Sequence, residues 1–474
     1  MTSLATAPAS KATLVEPGGI EPIPLEHRHG SPWQLLSTWS APNLEFATIF
    51  VGFIAVAYFG LSPWQAVAAL LLGNFLGGLS QGYLSTWGPR EGLAQMLIGR
   101  TAFGFWGNLI PAALNTAMAG LGWFAVNSIS GAFALATLTG LPVWLALLIV
   151  VVVEVAVAFV GHDIVQLFER YAAFVLAITF LIAGIFILSQ ANFGVPATGN
   201  GTVGDGSTGL GGFGGFMLAA GAAFGYTAGW NPYASDYTRY MAPTTSKTKI
   251  FLAAGLGNFI STSFLMIVGA ASATILHAGL ADTASPTDTF TNGMPNWIAG
   301  LTLLAIAVGA VSANALNIYS GAMSFLTLGI KIPFRLRRAI VALGFGVLGF
   351  IIALIALPDA GSTYENFLLV IAYWIAPWLG VVLMDRYLRR GTAIAGLVVN
   401  EVTRYKNWAG PAAFVIATAL SIFLFANQAV YAGVAVKAAP EIGDLTAPVG
   451  FVLAGVLYLV FFKLAKPVLG AKLS

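Results

Sequence analysis

In the stretch "NTAMAGLGWFAVN", residues 115 to 127, a tryptophan and an asparagine stand four residues apart. On a helix that spacing puts Trp123 and Asn127 on one face, with Asn115 and Ala119 continuing the stripe. An indole beside an amide suits a flat, neutral, hydrogen-bonding ring: the indole stacks on it, and the amide supplies one acceptor and two donors. The competing use of such an asparagine is as a bond between apolar helices. A second stretch, "SANALNIYSG" from Ser312 to Gly321, places Asn314 and Asn317 three apart, so that they can face the same cavity. Ser312 adds a hydroxyl that could ligate a hard cation such as sodium, together with backbone carbonyls freed in the first apolar segment.

The third stretch, "GYTAGWNPYASDYTRYMAP" from 225 to 243, starts as a glycine-spaced helix and then runs into Trp-Asn-Pro. Gly221, Gly225 and Gly229 give that helix a smooth face for close approach, and Trp230 sits at the break with a rigid ring and one N–H donor. Belt tryptophans at a membrane surface seldom stand against a helix break. Glu45 and Glu154 are the clear charged residues inside apolar segments, and such residues are functional candidates by default. Glu45 lies beside a second break and suits coupling or gating; for Glu154, a protonated or partner-bonded structural role fits equally. Asp236 and Arg239, three apart, can pair with each other, or Asp236 with Arg100, as a gate; most such pairs are solvated and weak.

No phosphate loop, HExxH helix or Ser-His-Asp set is evident, and the histidines are dispersed at 27, 29, 162 and 277. The residues therefore argue against an enzyme, and no organic or catalytic metal cofactor is expected. With no cysteine, disulfides and thiolate metal sites are excluded.

The elements that must position these residues are membrane helices. Of 474 residues 58% are hydrophobic and 8% charged, and apolar runs of membrane length recur to give about twelve spans. They fall near 43–61, 63–85, 104–137, 141–161, 166–190, 211–230, 250–277, 297–329, 339–357, 363–384, 409–427 and 447–467. With the N-terminus inside, all of the 21 Lys and Arg residues except Lys437 fall on the cytoplasmic side. Both termini are thus expected in the cytoplasm. The pI near 9.0 reflects basic loops at a bilayer, not binding to a nucleic acid polymer.

The first span is entered through Trp39-Ser40-Ala41-Pro42-Asn43 and the sixth ends in Trp230-Asn231-Pro232. Breaks at the first and sixth positions suggest two five-helix repeats of opposite topology, because unwound backbone at membrane depth is tolerated where it lines a cavity. The expected organisation is a tail over 1–38, repeats over 39–190 and 211–390, and two appended helices within 405–474.

In "GYTAGWNPYASDYTRYMAP", in "GPREGLAQMLIGRTAFGFWGN" (88–108) and in the Trp-to-Asn spacing of the third span, the chain resembles the nucleobase:cation symporter-1 family, in its purine-cytosine permease branch. The resemblance implies an all-α, leucine-transporter-like fold with 5+5 inverted repeats and broken first and sixth helices. It implies a plasma-membrane symporter that imports a nucleobase such as cytosine or a purine by alternating access, with sodium or a proton. Trp123 and Trp230 would sandwich the ring, and Asn127 and Asn317 would read its edge. The family's sodium site uses two adjacent hydroxyls of the eighth span; here Ser312 stands beside Val311, which leaves proton coupling open. Leu316 and Ala313 replace a Pro and an Asn common in fungal members, which leaves allantoin, hydantoin, thiamine or a pyridoxine-like ring as alternative cargo. A channel or a non-transporting receptor is the competing class, separated by whether uptake is concentrative.

Overall fold

The computed structural model describes residues 20–159, 162–199, 210–275, 286–330, 337–399, 404–428 and 430–472. The first half of the expected tail, together with Asp205, His277, Asp282, Lys331 and Arg335, lies outside the described residues. Among those described, seven helices are long and apolar enough to cross a membrane, and an eighth such span forms where Gln34–Asn43 meets Phe46–Ala57 at a 60° bend. Three shorter apolar helices, Val143–Val157, Ile340–Ala356 and Ala409–Phe425, fall at the expected fourth, ninth and eleventh spans. The expected sixth span is the helix Gly212–Ala228, whose glycines dilute its hydropathy.

Local signals explain several boundaries. Pro63–Ser85, the second span, starts at a capping box in which Ser62 and Gln65 satisfy each other's backbone, with Pro63 in the first turn. The first span is interrupted by a 3₁₀ turn at Ala41–Asn43, after which Leu44 and Glu45 leave helical geometry. The sixth is interrupted after Ala228, and a 3₁₀ turn, Asn231–Tyr233, leads into the short helix Ala234–Thr238. The third span, Leu109–Thr139, is not a uniform α-helix: Met118–Trp123 is a π-helical turn. Such turns are rare and are frequent at functional sites.

The third span packs on the eighth (Asn296–Thr327), the sixth on the second and tenth (Ala360–Leu388), and the seventh (Lys247–Ile275) on the first and second. The two last helices pack on each other and on the tenth. First and seventh spans touch backbone to backbone: a Cβ at Gly52 would stand 1.8 Å from Met266 O, and one at Gly269 1.8 Å from Ile49 O. Only glycine permits that approach. Around the bundle, large apolar side chains such as Phe174, Val152 and Ile355 are exposed, far more apolar surface than water tolerates and the expected coat for lipid.

Candidate substrate and ion site

Both breaks meet at one polar knot. Trp230 Nε1 donates to Asn43 Oδ1 at 2.8 Å, so the indole donor of the sixth break is held by the last residue of the first break's 3₁₀ turn. Asn43 Nδ2 in turn lies 2.6 Å from Trp39 O and 3.0 Å from Asn258 Oδ1 of the seventh span. Across the break, Trp123 lies against Gly229, where an added Cβ would stand 3.3 Å from Trp123 Cζ2. The Trp123 ring meets Tyr226 and Phe367 edge-on, each at a centroid distance of 5.2 Å. The Trp230 ring meets Tyr233 at 5.7 Å and Trp39 at 6.0 Å. Trp123 therefore packs against the break in which Trp230 stands, and both rings are buried.

The amides predicted from sequence converge beside it. Asn127 Nδ2 donates to Asn314 Oδ1 at 3.0 Å, and Asn317 Nδ2 lies 3.3 Å from the same oxygen. Tyr233 OH donates to Asn317 Oδ1 at 3.3 Å, which ties the cluster to the turn after Trp230. Asn314 Nδ2 donates to Phe124 O and to Ser128 Oγ, and Ser128 Oγ lies 2.6 Å from Glu154 Oε2. Glu154 is thus the far end of a chain of polar groups that leads to the amides. Asn115, on the same stripe, bonds Ser324 Oγ at 2.7 Å and serves as a bond between helices.

Glu45 caps the second half of the first span: its Oε2 accepts Ala47 N at 2.8 Å, and its Oε1 accepts Tyr226 OH at 3.1 Å. Ser312 is tied to the fifth span. Its hydroxyl donates to Glu169 Oε2 at 2.6 Å, a buried carboxyl of the fifth span that the sequence reading passed over. The carbonyl released at the first break, Leu44 O, lies instead against Gly309, where a Cβ would approach it to 2.4 Å. Glu169 has a recoverable signal, a carboxyl inside an apolar run, but its neighbours Asp163 and Arg170 give the segment the look of a helix end. Asn43, Tyr226 and Tyr233 complete the set of site residues reached only through tertiary contacts.

Asp236 and Arg239 correct the expectation of a solvated surface pair, since both are buried. Asp236 Oδ1 accepts Gln95 N at 2.8 Å, while Arg239 reaches Tyr240 OH at 3.1 Å and Tyr319 OH at 3.4 Å. Arg100, the other expected partner, donates to Thr327 O and Val398 O. Tyr240 and Tyr319 hydroxyls share a 2.9 Å bond, and Tyr237 packs on Trp39 and Tyr319, so this side of the breaks is filled by rings. On the other side lies an apolar cavity of about 170 Å³ bounded by Phe50, Gly122, Tyr364 and Phe367 among others. Two of its wall residues, Tyr364 and Phe367, also contact the Trp123 ring.

Residues 22–450 match the family model described as permease for cytosine/purines, uracil, thiamine, allantoin. The chain is 30% identical over 466 residues to the purine-cytosine permease fcyB of Emericella nidulans, covering 94% of this chain and 88% of that one. It is 27% identical over 379 residues to the vitamin B6 transporter TPN1 of Saccharomyces cerevisiae, covering 76% of this chain and 64% of the other. Among solved structures, Mhp1, a nucleobase-cation-symport-1 family transporter in a closed conformation with bromovinylhydantoin bound, superposes with a TM-score of 0.73 at 18% identity, covering 97% of this chain and 98% of that chain. That similarity shows the fold, which is the leucine-transporter-like one with broken first and sixth helices.

Proposed function

The chain belongs to the permease family for cytosine and purines, uracil, thiamine and allantoin, which makes it a multi-pass membrane transporter and not an enzyme, and we propose that it imports a nucleobase such as cytosine or a purine in symport with a cation. The observation that carries the proposal is that Trp123 lies against Gly229 at the sixth break, where Trp230 stands, while Tyr233 of the same break bonds Asn317 in the cluster of Asn127, Asn314 and Asn317 amides. A neutral planar ring needs no counter-charge, and this cluster offers stacking faces and amide edges without one. Gly229 keeps the backbone between the tryptophans low enough for a flat ligand to slide over it. The cation, sodium or a proton, acts at the first and eighth spans near Ser312 and Glu45.

In this reading residues 39–190 and 211–390 are the inverted repeats, 405–474 adds the last two helices, and both termini are cytoplasmic in the plasma membrane. The apolar cavity bounded by Phe50, Tyr364 and Phe367 is then the outer vestibule. Asp236 and Arg239 belong to the inner gate with the tyrosines around them. A second reading, a pyridoxine-like cargo, is favoured by the similarity to the vitamin B6 transporter.

Uptake of labelled cytosine, hypoxanthine and pyridoxine by cells expressing the chain separates these cargoes. Concentrative uptake of cytosine or hypoxanthine is expected, and Trp123→Ala should abolish it while leaving the folded protein in the membrane. Normal uptake by that variant would overturn the stacking role. A thermal-shift screen reports binding directly, with about 2.7 kcal/mol of apparent stabilisation at a hundredfold excess of ligand over its Kd.

A further inference from the structure

We propose that Glu169, held by Ser312, is the group that takes up and releases the coupling ion, and that this ion is a proton. The inference rests on the symport reading above and names its driving ion. Glu169 is fully buried. Its Oε2 accepts the Ser312 hydroxyl at 2.6 Å, and its Oε1 has no hydrogen-bond partner among the described residues. The fifth span, His162–Gln190, packs on the eighth span, the seventh, the helix Gln34–Ser40 and the 3₁₀ turn of the first break. Around that point the break's Leu44 carbonyl meets Gly309, less than a turn from Ser312 on the eighth span. The carboxyl therefore stands where the broken first span, the fifth and the eighth come together.

Among the described residues no cation is bonded to it to balance a negative charge, and Arg239, which reaches Tyr319, is held by the hydroxyls of Tyr240 and Tyr319. The helix before the first break and its 3₁₀ turn carry no titratable side chain. The eighth span contributes Tyr319, and Tyr237 of the short helix after the sixth break is near enough to feel the Glu169 charge. On the seventh span, Lys247 and Lys249 sit at its exposed first turn. On the fifth span itself the neighbouring Arg170 and Tyr171 are exposed. One hydroxyl donor does not compensate an ionised carboxylate taken out of water, whereas a proton on Oε1 removes the charge.

Sodium fits this geometry poorly. At 2.6 Å the two oxygens share a hydrogen, and an ion lodged between them would need both lone pairs and a wider gap. Val311, next to Ser312, offers no second hydroxyl.

The step is simple in its balance. The carboxylate, wetted when the first break opens to one side, accepts a proton from that side and becomes a neutral acid; closure then costs no buried charge. Opening to the other side wets it again and returns the proton there. Because Ser312 shares its helix with Asn314 and Asn317, the helix that reads the cargo also holds the proton acceptor. Glu154 has a similar serine bond, but its helix packs chiefly on the third, eighth and ninth spans, away from the break.

Purified protein in sodium-free proteoliposomes tests the assignment with labelled cytosine as probe. With the outside one pH unit more acid, a one-to-one proton symport supports about tenfold accumulation. Glu169→Gln is expected to keep cytosine exchange and to lose accumulation, ending at equal concentrations. Accumulation by Glu169→Gln equal to that of the unmodified chain, or accumulation that requires sodium, would overturn the proposal. A second readout needs no cargo: infrared difference spectra between acid and alkaline buffers should show a protonated-carboxyl band that Glu169→Gln removes and Glu154→Gln leaves. If the unmodified chain does not move cytosine, the cargo reading fails, while the spectra still decide for or against Glu169. Should Glu169→Gln not fold, Ser312→Ala is expected to displace the same band, and an unmoved band overturns the assignment.

Discussion

The first and sixth spans break at the same place in the fold and repair the damage differently. At the first break a carboxylate of the chain itself, Glu45, accepts Ala47 N and caps the resumed helix. At the sixth, Pro232 removes one donor in advance and no side chain caps the short helix that follows. The first break thus has a carboxylate at the restart of its helix and an exiting carbonyl, and the sixth has Trp230 and Tyr233 at its turn, with Asp236 and Arg239 following. Trp230 bridges to Asn43 from ring to amide, and Tyr226, on the helix just before the sixth break, bonds Glu45 and Thr48. The contrast is one of local chemistry: a side-chain cap restarts the first span, and a proline turn restarts the sixth.

The largest blow to that division should come from Gly309→Ala. The new Cβ would stand 2.4 Å from Leu44 O, and because the obstacle is backbone, the cost belongs at the upper end of overpacking, about 3 kcal/mol or more. Loss of transport with lowered thermal stability is expected, and a variant stable within measurement error would mean that the first break is loose. Next in size, Trp230→Phe keeps a ring but leaves Asn43 Oδ1 buried without its donor, a loss of about 1–3 kcal/mol. Denaturation of the purified variant measures it; uncoupled uptake alongside would show that the bridge also synchronises the breaks. The smallest effect is expected from Gly229→Ala, whose Cβ would meet Trp123 at 3.3 Å and backbone oxygens at 3.0 and 3.1 Å. Stability should fall by about 1 kcal/mol or less, while KM for cargo rises as the Trp123 ring is pushed aside. Unchanged KM would remove Gly229 from the cargo surface.

Much of the fold was legible because a bilayer imposes a length and a composition on each crossing. The second span, expected at 63–85, is Pro63–Ser85, where proline and a serine cap write the start into the sequence. Both breaks were legible as Pro next to small polar residues. The π-turn Met118–Trp123 was not, since one extra residue in a helical turn leaves hydropathy unchanged. Asn43 could be seen only as part of a break, because its partners Trp230 and Asn258 lie far along the chain. Asp236 and Arg239 read as a surface pair because their spacing is that of one; the tyrosines that bury them come partly from the eighth span. Glu169 was hidden by the charged residues beside it.

The backbone contacts at Gly52 and Gly269 have a mechanical consequence. Two helices pressed together with no side chain between them cannot slide without collision, so the first and seventh spans behave as one beam. Asn258 and Ser261, which hold Asn43, ride on that beam along with the break itself. A displacement of the first span at these contacts therefore carries the seventh with it, and with the seventh the floor of the polar knot.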